Sequence, residues 1–116
     1  MSIIIAGTLD FAPGTVARII TDARALIEAA QAEDGCIAYN WSEDPLVAGR
    51  MHVYEEWTTE GALVAHFANP AYLDMSSHLQ ASGMLGAEVK KYRFDLTEPV
   101  YDDTGTPRAD FFSAAK

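Results

Sequence analysis

Cysteine is almost missing from this 116-residue chain: Cys36 stands alone. No disulfide can form within one copy, so the stapled architecture of small secreted domains is excluded and a reducing compartment is expected. Positive charge is scarce too. Eight Lys and Arg face 17 Asp and Glu, for a formal charge of −9. That balance disfavours a phosphate backbone or an anionic membrane as partner, so neither nucleic acid nor membrane is expected. The opening "MSIIIAGTLDF" has no basic start and meets Asp10 after a short apolar run, unlike a secretory leader. No apolar run approaches the length of a membrane span. Gly-rich phosphate loops, a GxSxG elbow and paired-cysteine metal motifs are all absent, which removes sequence support for nucleotide cofactors and serine hydrolysis. The expectation is a cytoplasmic protein.

What is present is a chain of ordinary globular composition, 49% apolar and 22% charged, long enough for one two-layer core. "SIIIAGTLDF" reads as a strand ending at Pro13-Gly14. Thr15 is placed to cap one amphipathic helix running to about residue 32, with Val16, Ile19, Ala23, Ile27 and Ala30 at helical spacing. "EDG" at 33–35 signals a loop. In "CIAYNWSED" the residues Ile37, Tyr39 and Trp41 alternate onto one face of a second strand. In "RMHVYEEWT" Met51, Val53, Glu55 and Trp57 oppose His52, Tyr54 and Glu56. Thr58 or Thr59 can cap a short helix to about residue 68. Asn69 can cap the next segment, with Pro70 at its first position, where a missing amide is harmless. "AEVKKYRFDLTEP" alternates Tyr92, Phe94 and Leu96 against Lys91, Arg93 and Asp95 as a last strand.

The order β-α-β-β-α-β predicts a ferredoxin-like α+β subunit over residues 1–97: a four-stranded antiparallel sheet with helices on one face. Residues 98–116 read as an acidic tail able to dock on a partner subunit. Large side chains fall on both faces of the strands, and each buried aromatic is worth on the order of 150–250 Å². A homodimer joined through the bare sheet face is therefore expected.

Two of the three histidines, His66 and His78, fall in "EEWTTEGALVAHFANPAYLDMSSH". Twelve residues apart, they would sit about 120° around a continuous helix, and Pro70 interrupts it. No third ligand lies at zinc-like spacing, so no metal site is expected. Cys36 reads as a small buried residue rather than a nucleophile. On the short helix Leu63 and Phe67 form the expected core stripe, with His66 at its border. There an imidazole can face a cavity and serve as base, or sit half-solvated at a rim. His78 fits the rim better. Tyr39, Trp41, Trp57 and Tyr92 fit core or dimer contacts before ligand stacking. Glu55, if buried beside Trp57, needs a partner: a salt bridge between subunits serves as well as catalysis.

"EDGCIAYNW" followed by "MHVYEEWTTEGALVAHFANPAY" resembles the antibiotic biosynthesis monooxygenase family of dimeric α/β-barrel proteins. The resemblance rests on Gly35-Cys36 with Tyr39 three residues on, on Glu55 and Trp57 two apart, and on "EGALVAH" ending at His66. It implies a dimeric barrel with a pocket between helices and sheet, and oxidation of a small or polycyclic phenol or quinol by molecular oxygen with neither metal nor flavin. In that scheme His66 is the expected catalytic base, Tyr39 and Tyr72 are hydrogen-bond donors to substrate, and Trp57 is a wall of the pocket. The haem-degrading branch fits worse: its working Trp falls at His66, its iron-binding His at Ser76, and the first strand offers Gly7 and Thr8 rather than Asn. A non-catalytic ligand-binding or stress-associated dimer, or a base-catalysed isomerase or cyclase, would use the same pocket.

Overall fold

A computed structural model describes residues 1–113. Four strands, β1 (Ser2–Asp10), β2 (Cys36–Glu43), β3 (Arg50–Trp57) and β4 (Gly86–Phe94), form one antiparallel sheet in the order β2-β3-β1-β4. Helices α1 (Val16–Asp22) and α2 (Arg24–Gln31) connect β1 to β2, and α3 (Glu60–Ala68) and α4 (Pro70–Ala81) connect β3 to β4. This is the expected ferredoxin-like α+β arrangement. Among the described residues no helix is long and apolar enough to cross a membrane.

The caps behave largely as their chemistry dictates. The Thr59 hydroxyl accepts from the Ala62 amide at 3.0 Å, and the Asn69 side-chain oxygen accepts from the Ala71 amide at 2.9 Å with Pro70 at the first helical position. Thr15 departs from expectation. Its hydroxyl donates to the Ala12 carbonyl at 2.7 Å instead of capping. The single helix expected to residue 32 is also two, broken at Ala23, whose amide bonds back three residues to the Ile20 carbonyl.

The sheet's two faces divide cleanly. Ile3, Ile5, Leu9, Met51, Val53 and Trp57 are buried toward the helices, and the register aligns them row by row across β1 and β3. Their neighbours in sequence, Tyr54 among them, face the other way and stay accessible. Ile37 does not share a face with Tyr39 and Trp41, as simple alternation suggested. A register shift between Cys36 and Ala38 inserts one residue and turns Ile37 outward, 56% exposed, while Tyr39 stays buried. Such a bulge flips the pleat from that point on.

Close approach fixes Gly7. A Cβ there would lie 2.2 Å from the Glu88 carbonyl oxygen and 2.5 Å from the Val89 Cα, both backbone atoms of β4. Gly7→Ala must push β1 and β4 apart, and we expect a loss of about 2 kcal/mol, read as a lower denaturant midpoint at unchanged slope.

Candidate active site

A cavity of about 380 Å³ opens between α4 and the sheet. Apolar side chains dominate its wall, including Ile5, Leu9, Val53, Met75 and Leu79, with Tyr39, Trp41 and Tyr72 as aromatic lining. Two ionisable groups from the core, Glu55 and His66, also reach it. Such a volume accommodates a small aromatic molecule.

His66 is 2% exposed. It comes from the inward face of α3, in phase with Leu63, which is buried, whereas Phe67 is 45% exposed. The expected phase of this helix was therefore one residue off: His66 is a core residue and Phe67 lies at the border. Four side chains hold the imidazole in place. Its Nδ1 lies 3.0 and 3.1 Å from the two Glu33 carboxylate oxygens. One face packs against Trp57, with ring centroids 4.4 Å apart and planes tilted by 32°. Tyr39 and Tyr72 meet it edge-on at 5.8 and 5.3 Å. The positioning loop is short because Gly35 lets it be: φ is +81°, and a Cβ there would lie 2.5 Å from Ala62 of α3. That contact accounts physically for a glycine before Cys36.

Glu55 is 7% exposed, and the Trp57 indole N–H donates to its Oε1 at 3.0 Å. Across the sheet it stands in one row with Tyr39, Ile5 and Lys91. His66 Nε2 lies 3.8 Å from the same Oε1, close enough for charge attraction though too long for a direct hydrogen bond. Burial raises the Glu55 carboxyl above the ordinary carboxylate range, opposed by the Trp57 hydrogen bond and by His66. A carboxyl so raised is a stronger base than an ordinary carboxylate. Burial also pushes the Tyr39 phenol well above its usual value, so this hydroxyl stays a donor. The Cys36 thiol is raised by burial and by Glu33 and Glu55 nearby, and carries no thiolate to react.

One expectation needs correction here. Trp57, expected as a wall of the pocket, is fully buried and does not line it, because His66 and Glu55 stand between. Trp41 takes that place. Its buried indole N–H makes no hydrogen bond of ordinary geometry among the described residues, though it sits near enough to the Tyr39 hydroxyl to oppose the rise in that phenol's pKa, which leaves a donor at the cavity wall. Tyr39, Tyr72 and His66 do line the cavity together. His78 does not reach it; its Nε2 bonds the Ile19 carbonyl at 2.9 Å, a tie between α4 and α1. The third histidine, His52, pairs with Asp44 at 2.6 Å near the β2–β3 turn.

Glu33 is the residue that sequence reasoning missed. The only signal available was an acid two residues before the glycine of a loop. Its carboxylate also borders a surface groove with Ala29, Ala32, Asp34, Ala65 and Asn69. It therefore joins the imidazole to the outside. The two carboxylates address different nitrogens of His66, so they do not converge as metal ligands must. Among the described residues no cluster of three or more His, Cys, Asp or Glu could hold an ion.

A family model for antibiotic biosynthesis monooxygenases matches residues 2–77. A Deinococcus radiodurans protein provisionally named as such a monooxygenase superposes with a TM-score of 0.74 at 25% identity, covering 84% of this chain and 96% of that one. A conserved Methanosarcina mazei protein shares the fold at a TM-score of 0.73 and 23% identity, over 82% and 94% of the two chains. An uncharacterized Synechocystis protein is 29% identical over 99 residues, 83% of this chain. The match spans 65% of that protein's length. The matched segment contains Glu33, Tyr39, Glu55, Trp57, His66 and Tyr72, and the chain belongs to the antibiotic biosynthesis monooxygenase family.

Proposed function

We propose that the protein is a cofactor-independent monooxygenase acting on a small or polycyclic aromatic phenol or quinol. One observation carries the reading: a buried carboxylate–imidazole pair, Glu55 and His66, at the wall of a mainly apolar cavity whose lining also includes Ser76, Gln80, Lys90 and Lys91. A phenol seated there gives its proton to this pair, and the resulting phenolate is electron-rich enough to reduce oxygen. One electron passes to O2, the two radicals combine, and a carbon–oxygen bond forms. The peroxide O–O bond then breaks: one oxygen stays on the ring as a quinone carbonyl and the other leaves as water. That water carries the hydroxyl hydrogen and the hydrogen displaced from carbon. Neither metal nor flavin is consumed in this balance.

The chain's own groups supply the rest. Tyr39 and the unpaired Trp41 N–H can donate to the developing oxyanion, where a fixed donor in a water-poor site is worth far more than in solvent. Glu33, at the surface end of His66, gives the abstracted proton a way out.

Oxygen uptake with a panel of hydroquinones and naphthols tests the reading. We expect His66→Ala to slow turnover about a hundredfold. Uptake unaffected by that substitution would remove His66 from the mechanism. Tight binding of the panel with no uptake at all would leave a ligand-binding protein in place of an enzyme.

A further inference from the structure

Strand β4 sends alternate side chains to the cavity. Ala87, Val89, Lys91 and Arg93 stand opposite Leu9, Gly7, Ile5 and Ile3 of β1. Leu9, Ile5 and Ile3 are buried toward the helices, so these four residues of β4 share that face. Lys90, opposite Ala6, falls on the other face although it too borders the cavity. The register therefore brings one ammonium group, that of Lys91, to the cavity wall.

A cation stands out there, in a chain of charge −9. All five arginines lie within 3.9 Å of a carboxylate oxygen, Arg93 through Glu60. Among the described residues Lys91 has no such partner, even though Glu55 shares its row, with Ile5 between them. Two inter-strand steps put the backbones of Glu55 and Lys91 about 10 Å apart. The cavity thus has a proton acceptor, Glu55 with His66, at one end and an uncompensated positive charge at the other. A groove of about 520 Å³ between α3 and β4 shares Phe67 and Lys91 with the cavity, and Lys91 is exposed. The lysine end is therefore the wet one, where an ionised group keeps part of its hydration and escapes the cost of full burial.

We infer that the phenol taken by this cavity is an aromatic hydroxy acid, seated with its hydroxyl at Glu55 and His66 and its carboxylate at Lys91. The inference rests on the reading of the cavity as a phenol site and narrows that reading to a substrate class. Charge sets the direction of binding. Glu55, when ionised, repels a carboxylate and Lys91 attracts it, so the reversed pose is disfavoured at both ends. Ser76 and Gln80 follow Tyr72 at steps of four along α4 and line the same cavity, adding neutral donors for the ligand's oxygens.

Equilibrium dialysis without oxygen, at neutral pH, measures binding apart from turnover. The probes are a hydroxynaphthoate with hydroxyl and carboxylate at opposite ends of the ring system, and its uncharged primary amide. The full-length protein should bind the acid about tenfold more tightly than the amide, the preference expected of one charged hydrogen bond. Lys91→Gln should remove that preference while amide binding stays as it was, and Lys91→Glu should reverse it. Arg24→Gln removes the same charge from α2, outside the cavity lining, and should keep the preference. Equal affinity for acid and amide, a preference that survives Lys91→Gln, one lost equally in Arg24→Gln, or no binding of either probe would overturn the inference. Oxygen uptake separates it from the wider reading. An acid that is preferred but never oxidised keeps the carboxylate site and sinks the monooxygenase; neutral phenols oxidised with no preference for the acid do the opposite.

Discussion

Glu55→Gln should abolish most turnover and at the same time make the protein more stable. Gln keeps the shape and can still accept the Trp57 N–H, but it cannot take a proton, so the expected loss in turnover is about 10²- to 10⁴-fold. The stability change follows from linkage. Burial raises the carboxyl above its unfolded value. Below the unfolded pKa both states are protonated and Glu55 costs nothing by ionising. As pH rises, the unfolded chain ionises first while the folded chain holds its proton. Stability is therefore lost progressively until the pH passes the folded pKa, after which it is flat. The neutral amide escapes that loss. At pH 7 the variant should gain on the order of 1 kcal/mol, a rise in melting temperature of about 4 °C. At pH 4 the gain should vanish. A variant that is equally stabilised at both values, or destabilised at pH 7, would show that Glu55 is not held against a desolvation cost.

Trp57→Ala should be the most destabilising single change in the domain, at about 4 kcal/mol. The indole is fully buried at the end of β3, between Ile3 of β1 and Cys36 of β2, and supports His66 from below. Its removal leaves a void and also strips a buried carboxylate of the one hydrogen-bond donor it has among the described residues. Trp57→Phe separates the two effects: the void is largely filled while the hydrogen bond is still lost. We expect it to cost about 2 kcal/mol. It should also raise the Glu55 pKa further, seen as an acidic limb of the pH–activity profile displaced upward. Chemical denaturation of the two variants against wild type checks the ordering.

Much of the fold was legible because its determinants are local. Alternation in 50–57, the Thr59 cap, and Asn69 with Pro70 each dictate a backbone shape within a few residues, and they fell where expected. The break at Ala23 was not: Thr21 and Asp22 are weak helix formers, but without a glycine or proline nothing in the window marks a stop. Ile37 escaped for a related reason: a bulge depends on the partner strand, and nothing in "CIAYNW" marks it. His66, Tyr39 and Tyr72 line the cavity together, a placement that could be anticipated because few residue types pair an apolar ring with a polar tip. Trp57 was misplaced by one layer, because a pattern says which face a residue is on and not what stands in front of it. Glu33 lay in a loop 33 residues from the imidazole it holds, a distance that no periodicity spans. Similarly, Glu55 could be read as buried but its setting could not, since that depends on a cavity made by four strands and two helices.

Strand β4 carries a further consequence, one of colloidal rather than catalytic kind. Every residue from Gly86 to Arg93 is exposed, and only one side of the strand is hydrogen-bonded. A row of free amides and carbonyls of that length is a template onto which any extended chain can add. Lys90, Lys91 and Arg93 are the residues that guard it, since cations set along an edge repel one another when strands of different molecules align. Whatever else they bind, these three charges keep the freshly folded chain from polymerising through its own sheet.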